Sequence, residues 1–212
     1  MSIYSYIKIQ PFQHINSSVK HYKFIQFISK EEFEMSKLGG WEIDVKVNEF
    51  PQKIATAIAE LPETHLGCEY DAFAYLGQQV VNGVNHAVMA EQTITTGVDT
   101  KNVVILKFNE KPEGVTCYNI ESVVEGGGRL GGTHIDVQTE IPEDAKAIFE
   151  SAMAYFVGSN VKPFAFLGTK VVNGTEYKYA AEVSPITQNP VKHVSIVTIN
   201  SLTKDVKFET VL

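Results

Sequence analysis

The side chains that could perform catalysis or hold a metal are few here, and their spacing matches no known arrangement. The six histidines include no pair four residues apart beside a glutamate, the spacing by which one helix face holds zinc. Cys68 and Cys117 lack the local sequence of a cysteine nucleophile, and they read as small buried hydrophobic residues. The acidic residues are scattered, so no carboxylate pair stands out for acid–base chemistry. We therefore expect no enzyme, no metal site and no cofactor.

Composition and charge exclude several kinds of partner. The chain of 212 residues is 44% hydrophobic and 20% charged, which is typical of a folded globular protein. Its formal charge of −7 argues against nucleic acid as the main partner, because phosphate binding requires clustered Lys and Arg. The longest uncharged segment, residues 72–90, holds too many amide side chains to span a membrane. Lys8 and Pro11 interrupt the start before a signal-peptide core develops, so we expect an intracellular location, with the pairing of the two cysteines left open.

The chain repeats itself at a spacing of about 91 residues, which is the signature of a duplicated unit. Several segments recur in the same order at this near-constant spacing, which is hard to obtain by chance. The matches are Leu38-Gly39-Gly40 with Leu130-Gly131-Gly132, Val80-Val81-Asn82-Gly83 with Val171-Val172-Asn173-Gly174, and residues 103–109 with 194–200.

Each copy carries signals for one helix followed by strands. Asn48 and Thr139 are suitable helix caps, and each is followed by a glutamate and then by a proline in the expected first turn. Segments rich in Val, Ile, Tyr and Phe come next and predict strands. Asn82-Gly83 predicts a hairpin in which both turn residues accept positive φ, and residues 110–114 predict a second hairpin.

These elements predict an α+β fold made of two tandem modules, each with one helix packed across a curved antiparallel β-sheet. The predicted organisation is an N-terminal extension at residues 1–37, a first module at 38–124, a glycine-rich linker at 125–129 and a second module at 130–212.

The first hairpin carries a resemblance to a known family. Gln79-Val80-Val81-Asn82-Gly83 resembles the Gln-x-Val-x-Gly signature of cystatins and stefins, the protein inhibitors of papain-like cysteine proteases. Val84-Asn85-His86 resembles the family's continuation, x-Asn-Tyr, and Leu38-Gly39-Gly40 resembles the glycine segment that opens its inhibitory edge. The order of the elements is similar too, and the resemblance covers nearly everything outside the extension.

The resemblance implies a protein-binding module in tandem cystatin-like form, which inhibits a protease without any chemical step of its own. In the family, the glycine segment and two hairpin tips form a wedge that fills the protease cleft. The partner-binding residues that the resemblance implies are Gly39, Gly40, Gln79, Val80, Val81, Asn82, Gly83 and Pro112.

Two departures from the family pattern leave an alternative open. Lys170 replaces the signature Gln in the second copy, and residues 1–37 precede Gly39-Gly40, where insertion into a cleft needs a free segment. The alternative is a non-inhibitory structural or assembly protein, an adaptor or a virion component, whose extension docks on a neighbouring copy to form a homo-oligomer. A hairpin turn without any partner also accounts for residues 80–83.

Overall fold

The computed structural model describes most of the chain, which divides into two compact units, Met1–Gly40 and Trp41–Leu212. In the first unit, β1 (Tyr6–Lys8) pairs antiparallel with β2 (Gln26–Ile28). The rest of the predicted extension, up to residue 37, lies outside the described residues. The described residues are 6–8, 26–28, 39–97, 100–127, 131–154 and 156–212.

Two five-stranded antiparallel sheets and two helices make up the described part of the second unit. The strands of each sheet lie side by side in chain order, so each pairs with the next one along the chain. The first half consists of β3 (Glu42–Val47), α1 (Gln52–Thr64), β4 (Cys68–Val81), β5 (Gly83–Ile94), β6 (Thr100–Lys111) and β7 (Gly114–Glu125). The second half consists of β8 (Thr133–Gln138), α2 (Glu143–Met153), β9 (Ser159–Val172), β10 (Gly174–Pro185), β11 (His193–Asn200) and β12 (Val206–Thr210).

The central strands of the first sheet are buried on both faces. A strand with one wet face alternates buried and exposed residues, because successive side chains point to opposite sides. Residues 73–77, 86–90 and 103–106 are instead buried without a break. Such runs require a cover on each face of the sheet.

A helix covers one face in each half. Ile54 and Leu61 of α1 pack against Val88, Leu106 and Phe108 on the outer face of the first sheet. The second half repeats this arrangement with its own helix. Its buried cluster consists of Ala145 and Phe149 of α2 with Phe166, Tyr179, Ala181, Val197 and Ile199.

The two sheets cover each other's remaining faces. Leu76 and Ile105 of the first sheet belong to one buried cluster with Leu167 and Ile196 of the second. All four side chains are almost completely excluded from solvent. The hydrophobic stabilisation of each sheet therefore depends on the presence of the other.

The predicted α+β class is wrong. The described residues are mainly β, since ten strands in two antiparallel sheets outweigh two helices of 13 and 11 residues. Each predicted module has one helix packed across its sheet and no other cover. The inner core between the sheets is the element that this prediction lacked. The predicted boundaries at residues 124 and 130 stay predictions, and residues 128–130 lie outside the described part.

The halves correspond element by element and meet through corresponding residues. Asn48 Nδ2 lies 3.5 Å from Thr139 Oγ1, and these two residues are equivalent in the repeat. Contact between equivalent residues is the pattern of an isologous interface.

The two sheets run in opposite directions. Gly126 follows the end of β7 that is distant from the β4–β5 turn, and it forms a bridge with Thr133. Thr133 in turn pairs with Lys170, near the β9–β10 turn. The turn end of the second sheet therefore lies beside the opposite end of the first.

Both helices begin after a proline and not at the predicted caps. Pro51 and Pro142 occupy the N-cap positions without a side-chain cap, while Asn48 adopts a φ of 57° after β3. Proline suits this position because its φ is already fixed and its carbonyl still accepts the first helical hydrogen bond, from Ala55 and Lys146 respectively. Neither of the helices found in the described residues is long and apolar enough to cross a membrane.

The shared core predicts that the two halves unfold together. Leu76→Ala and Leu167→Ala should each lower the free energy of unfolding by about 2–5 kcal/mol, because each leaves a cavity in the same inner cluster. Urea unfolding followed by circular dichroism and by the fluorescence of Trp41, which packs on this cluster, should show coincident transitions.

The exposed Val171 provides the control for this comparison. Val171→Ala should change the free energy of unfolding by less than about 0.5 kcal/mol. Leu167 lies in the second half and Trp41 in the first, so an unchanged Trp41 transition in Leu167→Ala would contradict the shared core.

Candidate protein-binding site

Two turns lie together at one end of the first sheet, and we call this region the first loop end (residues 79–86 and 108–115). The β4–β5 turn touches the end of β6, since Val84 pairs with Glu110. An added Cβ at Gly83 would collide with the Glu110 carbonyl oxygen. The first loop end thus brings the predicted residues 79–83 close to the β6–β7 turn, which contains Pro112.

The predicted contact residues at this end are accessible to a partner. Val80 is 56% exposed and Val81 is 45% exposed, whereas Val88, Val103 and Val104 of the central strands are buried. Pro112 is exposed at the β6–β7 turn. Gly39 and Gly40 are exposed residues of the first unit, so their part in a common surface stays a prediction.

The β4–β5 hairpin forms as predicted, but its turn has another geometry. Val81 pairs with Gly83, so Asn82 alone lies between the two strands, and Gly83 has a positive φ of 97°. Glycine adopts this left-handed conformation without steric cost. Asn82 does not have a positive φ, although asparagine accepts one. Gly83 is required both by its φ and by its approach to β6.

A ladder of side-chain amides crosses the first loop end. Asn85 Nδ2 donates to Gln79 Oε1 at 2.9 Å, and Asn109 Nδ2 donates to Asn85 Oδ1 at 2.8 Å. These residues are neighbours in register on β4, β5 and β6. The signature residue Gln79 therefore holds three strands together, in addition to any contact it makes with a partner.

Asn109 also holds the turn itself, which the sequence reasoning did not foresee. Its Nδ2 atom donates to the Asn82 carbonyl oxygen at 3.3 Å. In the second half, Asn200 Nδ2 donates to the Asn173 carbonyl oxygen at 3.1 Å. A signal was present, because Asn109 and Asn200 end one of the matching segments of the repeat. An asparagine kept at the same place in both copies indicated a shared structural role.

The equivalent region of the second sheet, the second loop end (residues 170–177 and 199–206), differs in its charges. Lys170 and Glu176 replace Gln79 and Asn85 in register, so charged side chains stand where the first half has amides. Its turn residues are also exposed. The exposed hydrophobic residues at this end are Val171 at 73%, Val172 at 41% and Leu202 at 64%.

A second set of polar side chains lies on the helix side of the first loop end, and we call it the His86 group (Lys53, Tyr75, His86 and Glu110). Tyr75 Oη is 3.0 Å from His86 Nδ1, and His86 Nε2 is 3.2 Å from Glu110 Oε2. Lys53 Nζ at the start of α1 donates to Glu110 Oε1 at 2.5 Å. His86 is one of the few buried polar side chains in the described part of the chain. The four side chains of the His86 group connect β4, β5, β6 and α1.

The partners of His86 determine its protonation. A carboxylate only accepts hydrogen bonds, so the imidazole proton lies on Nε2 facing Glu110, and Nδ1 accepts from the Tyr75 hydroxyl. Burial lowers the pKa of His86, although Glu110 opposes this shift. The hydrogen bond from Lys53 is the main cause that lowers the pKa of Glu110. Burial raises the pKa of Tyr75 to about 12, so its hydroxyl stays protonated.

The two cysteines are the next residues to consider for chemistry. Cys68 and Cys117 are free, partly buried thiols, and burial raises the pKa of Cys117. A raised pKa disfavours the thiolate that a nucleophile requires. Within the described residues, no group of three or more His, Cys, Asp or Glu side chains is arranged to hold a metal ion.

The amide ladder predicts a measurable contribution of Asn109 to stability. Asn109→Ala removes two hydrogen bonds and leaves the Asn85 oxygen without this donor, so the free energy of unfolding should fall by about 1–2 kcal/mol in urea denaturation. Asn119→Ala, at an exposed position on β7, is the control and should cost less than about 0.5 kcal/mol. Equal losses in the two variants would show that the ladder does not hold the turn.

Comparison with known proteins adds no relative to these observations. No model of a known protein family matches the chain, and no curated protein matches it. Function is therefore inferred from the geometry of the loop ends and from the residues that they expose.

Proposed function

We propose that this chain is a protein-binding module whose contact surface is the first loop end, and that its specific form is inhibition of a papain-like cysteine protease. The observation that carries the proposal is a pair of exposed valines, Val80 and Val81, at the tip of a hairpin held by its own hydrogen bonds. The module binds and does not catalyse.

The exposed valines supply hydrophobic area for binding. Full burial of a valine side chain is worth roughly 1.5–3 kcal/mol, and about half of each side chain is already covered here. Burial of the pair against a partner therefore contributes on the order of 2 kcal/mol. A partner with a narrow apolar cleft would take up both side chains together with the turn between them.

The amide ladder makes this tip rigid before binding. Gln79, Asn85 and Asn109 join three strands, and Asn109 also fixes the turn carbonyl of Asn82. A tip that is already ordered loses little conformational entropy when it docks. Rigidity of this kind suits a wedge that enters a preformed cleft.

The sequence resemblance indicates that the cleft belongs to a papain-like cysteine protease. Residues 79–83 resemble the cystatin signature, and Pro112 lies in the neighbouring turn, as the resemblance requires. The family's remaining contact element, the glycine segment, corresponds to Gly39 and Gly40, and their contact with a partner stays a prediction. The proposal therefore relies on the two turns of the first loop end.

Titration of papain activity with the purified protein tests the inhibitor form. The double variant Val80→Asp/Val81→Asp should weaken inhibition by about tenfold or more, because it places two charges where apolar side chains must be buried. The matched control is Val171→Asp/Val172→Asp, which adds the same charges at the equivalent turn of the second half and should inhibit like the unaltered protein.

Two results would contradict the inhibitor form. One is no inhibition at a large molar excess, both with residues 1–37 present and with them deleted. The other is equal weakening by the two double variants, since the second loop end lies beside the opposite end of the first sheet.

A second candidate function, an assembly or adaptor protein, is favoured by the second loop end. Val171, Val172 and Leu202 are exposed there, so the chain presents an apolar tip in each half. The two tips belong to opposite ends of the paired sheets, which suits a protein that bridges two partners. The N-terminal extension is the predicted site of contact between copies in this case.

Measurement of molar mass in solution tests the assembly function. Intact protein should form oligomers that deletion of residues 1–37 disrupts, whereas Asn119→Ala, at an exposed position on β7, should leave the oligomers unchanged. A monomer that is the same with and without residues 1–37 would argue against assembly through the extension.

A further inference from the structure

The His86 group links the two turns of the first loop end to the helix. Glu110 lies two residues before Pro112, and its main-chain oxygen lies against Gly83. Its carboxylate joins His86 on β5 to Lys53 on α1. A change in the charge of this group therefore acts on both turns at once.

The second half holds no such group at the corresponding place. The positions equivalent to Tyr75, His86 and Glu110 are occupied by Phe166, Tyr177 and Ser201, and Lys53 corresponds to Asp144. Phenylalanine, tyrosine and serine supply neither an imidazole nor a carboxylate, so the second half lacks a counterpart of the His86–Glu110 pair at these positions. The second loop end is therefore a natural control within the same molecule.

We propose that the first loop end is an acid-sensitive element, in which proton uptake by the His86–Glu110 pair loosens the β4–β5 and β6–β7 turns. Where the first loop end binds a protein partner, as proposed above, the device would release that partner in acid. Partner release rests on the proposed function, whereas the loosening of the turns does not.

Protonation disturbs contacts on both sides of His86. An imidazolium donates from both nitrogens, so Nδ1 can no longer accept the Tyr75 hydroxyl hydrogen. The charged ring also loses solvation in a site where it is only 5% exposed. Protonation of Glu110 in turn removes the ion pair with Lys53.

The charged surroundings of the group set the direction of the effect. Within the His86 group, the charged side chains are Lys53 on α1 and Glu110 on β6. Outside it, Glu42 and Asp44 on β3 interact electrostatically with Tyr75. Glu110 favours a proton on His86, but burial opposes it more strongly, so the net direction is a lowered pKa.

The direction in which stability changes with pH follows from the lowered pKa values of His86 and Glu110. The unfolded or opened chain binds a proton on His86 near pH 6.5 and on Glu110 near pH 4.5, each above the folded value. The stabilisation is thus complete above about pH 6.5 and is lost as the pH falls through the folded pKa values.

Hydrogen–deuterium exchange at about pH 7.5 and about pH 5.0, corrected for the intrinsic exchange rate, tests the proposal. Protection of the amides in the first loop end should fall several-fold at the lower pH, while the second loop end should keep its protection. His86→Gln retains a donor and an acceptor but does not titrate near neutral pH, so most of the pH difference should disappear in this variant. His65→Gln, at an exposed position, should behave like the unaltered protein.

Three outcomes would overturn the proposal. These are equal protection of the first loop end at both pH values, an equal loss in both loop ends, and an unchanged pH difference in His86→Gln. If His86→Gln does not fold, the comparison of the two loop ends in the unaltered protein decides the question.

The exchange measurement needs no partner, so its result is independent of papain inhibition. Inhibition that is retained at about pH 5 although the turns have loosened would separate the loosening from partner release and overturn only the release. Absence of inhibition at every pH would overturn the proposed function and leave the acid-sensitive element standing.

Discussion

Burial of the two inner sheet faces against each other is the interaction on which the rest of this structure depends. Each five-stranded sheet has apolar side chains on both faces, and its single short helix covers only one of them. Leu76 and Leu167, equivalent residues of the two halves, meet in the core that covers the other face. Without its counterpart, each half would expose a large apolar surface.

The loop ends follow from where that inner core stops. Ala87 and Met89 on β5 belong to the inner core, and Asn85 lies two residues further along the same face. At this point amides replace apolar side chains and bond to one another across three strands. The transition from an apolar core to a polar ladder leaves the tip ordered but uncovered. Val80 and Val81 are exposed because they lie beyond the last covered position.

The halves share a backbone plan but differ in the charged groups at their tips. Asn109 and Asn200 hold the two turns by the same hydrogen bond, which is the part of the geometry that both halves require. On the helix side, the first half places His86 between Tyr75 and Glu110, whereas the second has Tyr177 at the equivalent position. Because the group is confined to one half, a change of pH acts on the two tips differently.

Local patterns in the sequence determined the strands, the existence of two helices, the internal repeat and the position of the β4–β5 hairpin. These are properties of neighbouring residues, such as the glycine that a tight turn requires at position 83. Tertiary structure decided the rest, because contacts between distant residues leave no periodic signal. The second cover of each sheet, the use of Gln79 in a ladder with Asn109, and the burial of His86 beside Glu110 all depend on strands that are brought side by side. For the same reason the predicted class failed, since a run of apolar residues shows that a strand is buried but not what buries it.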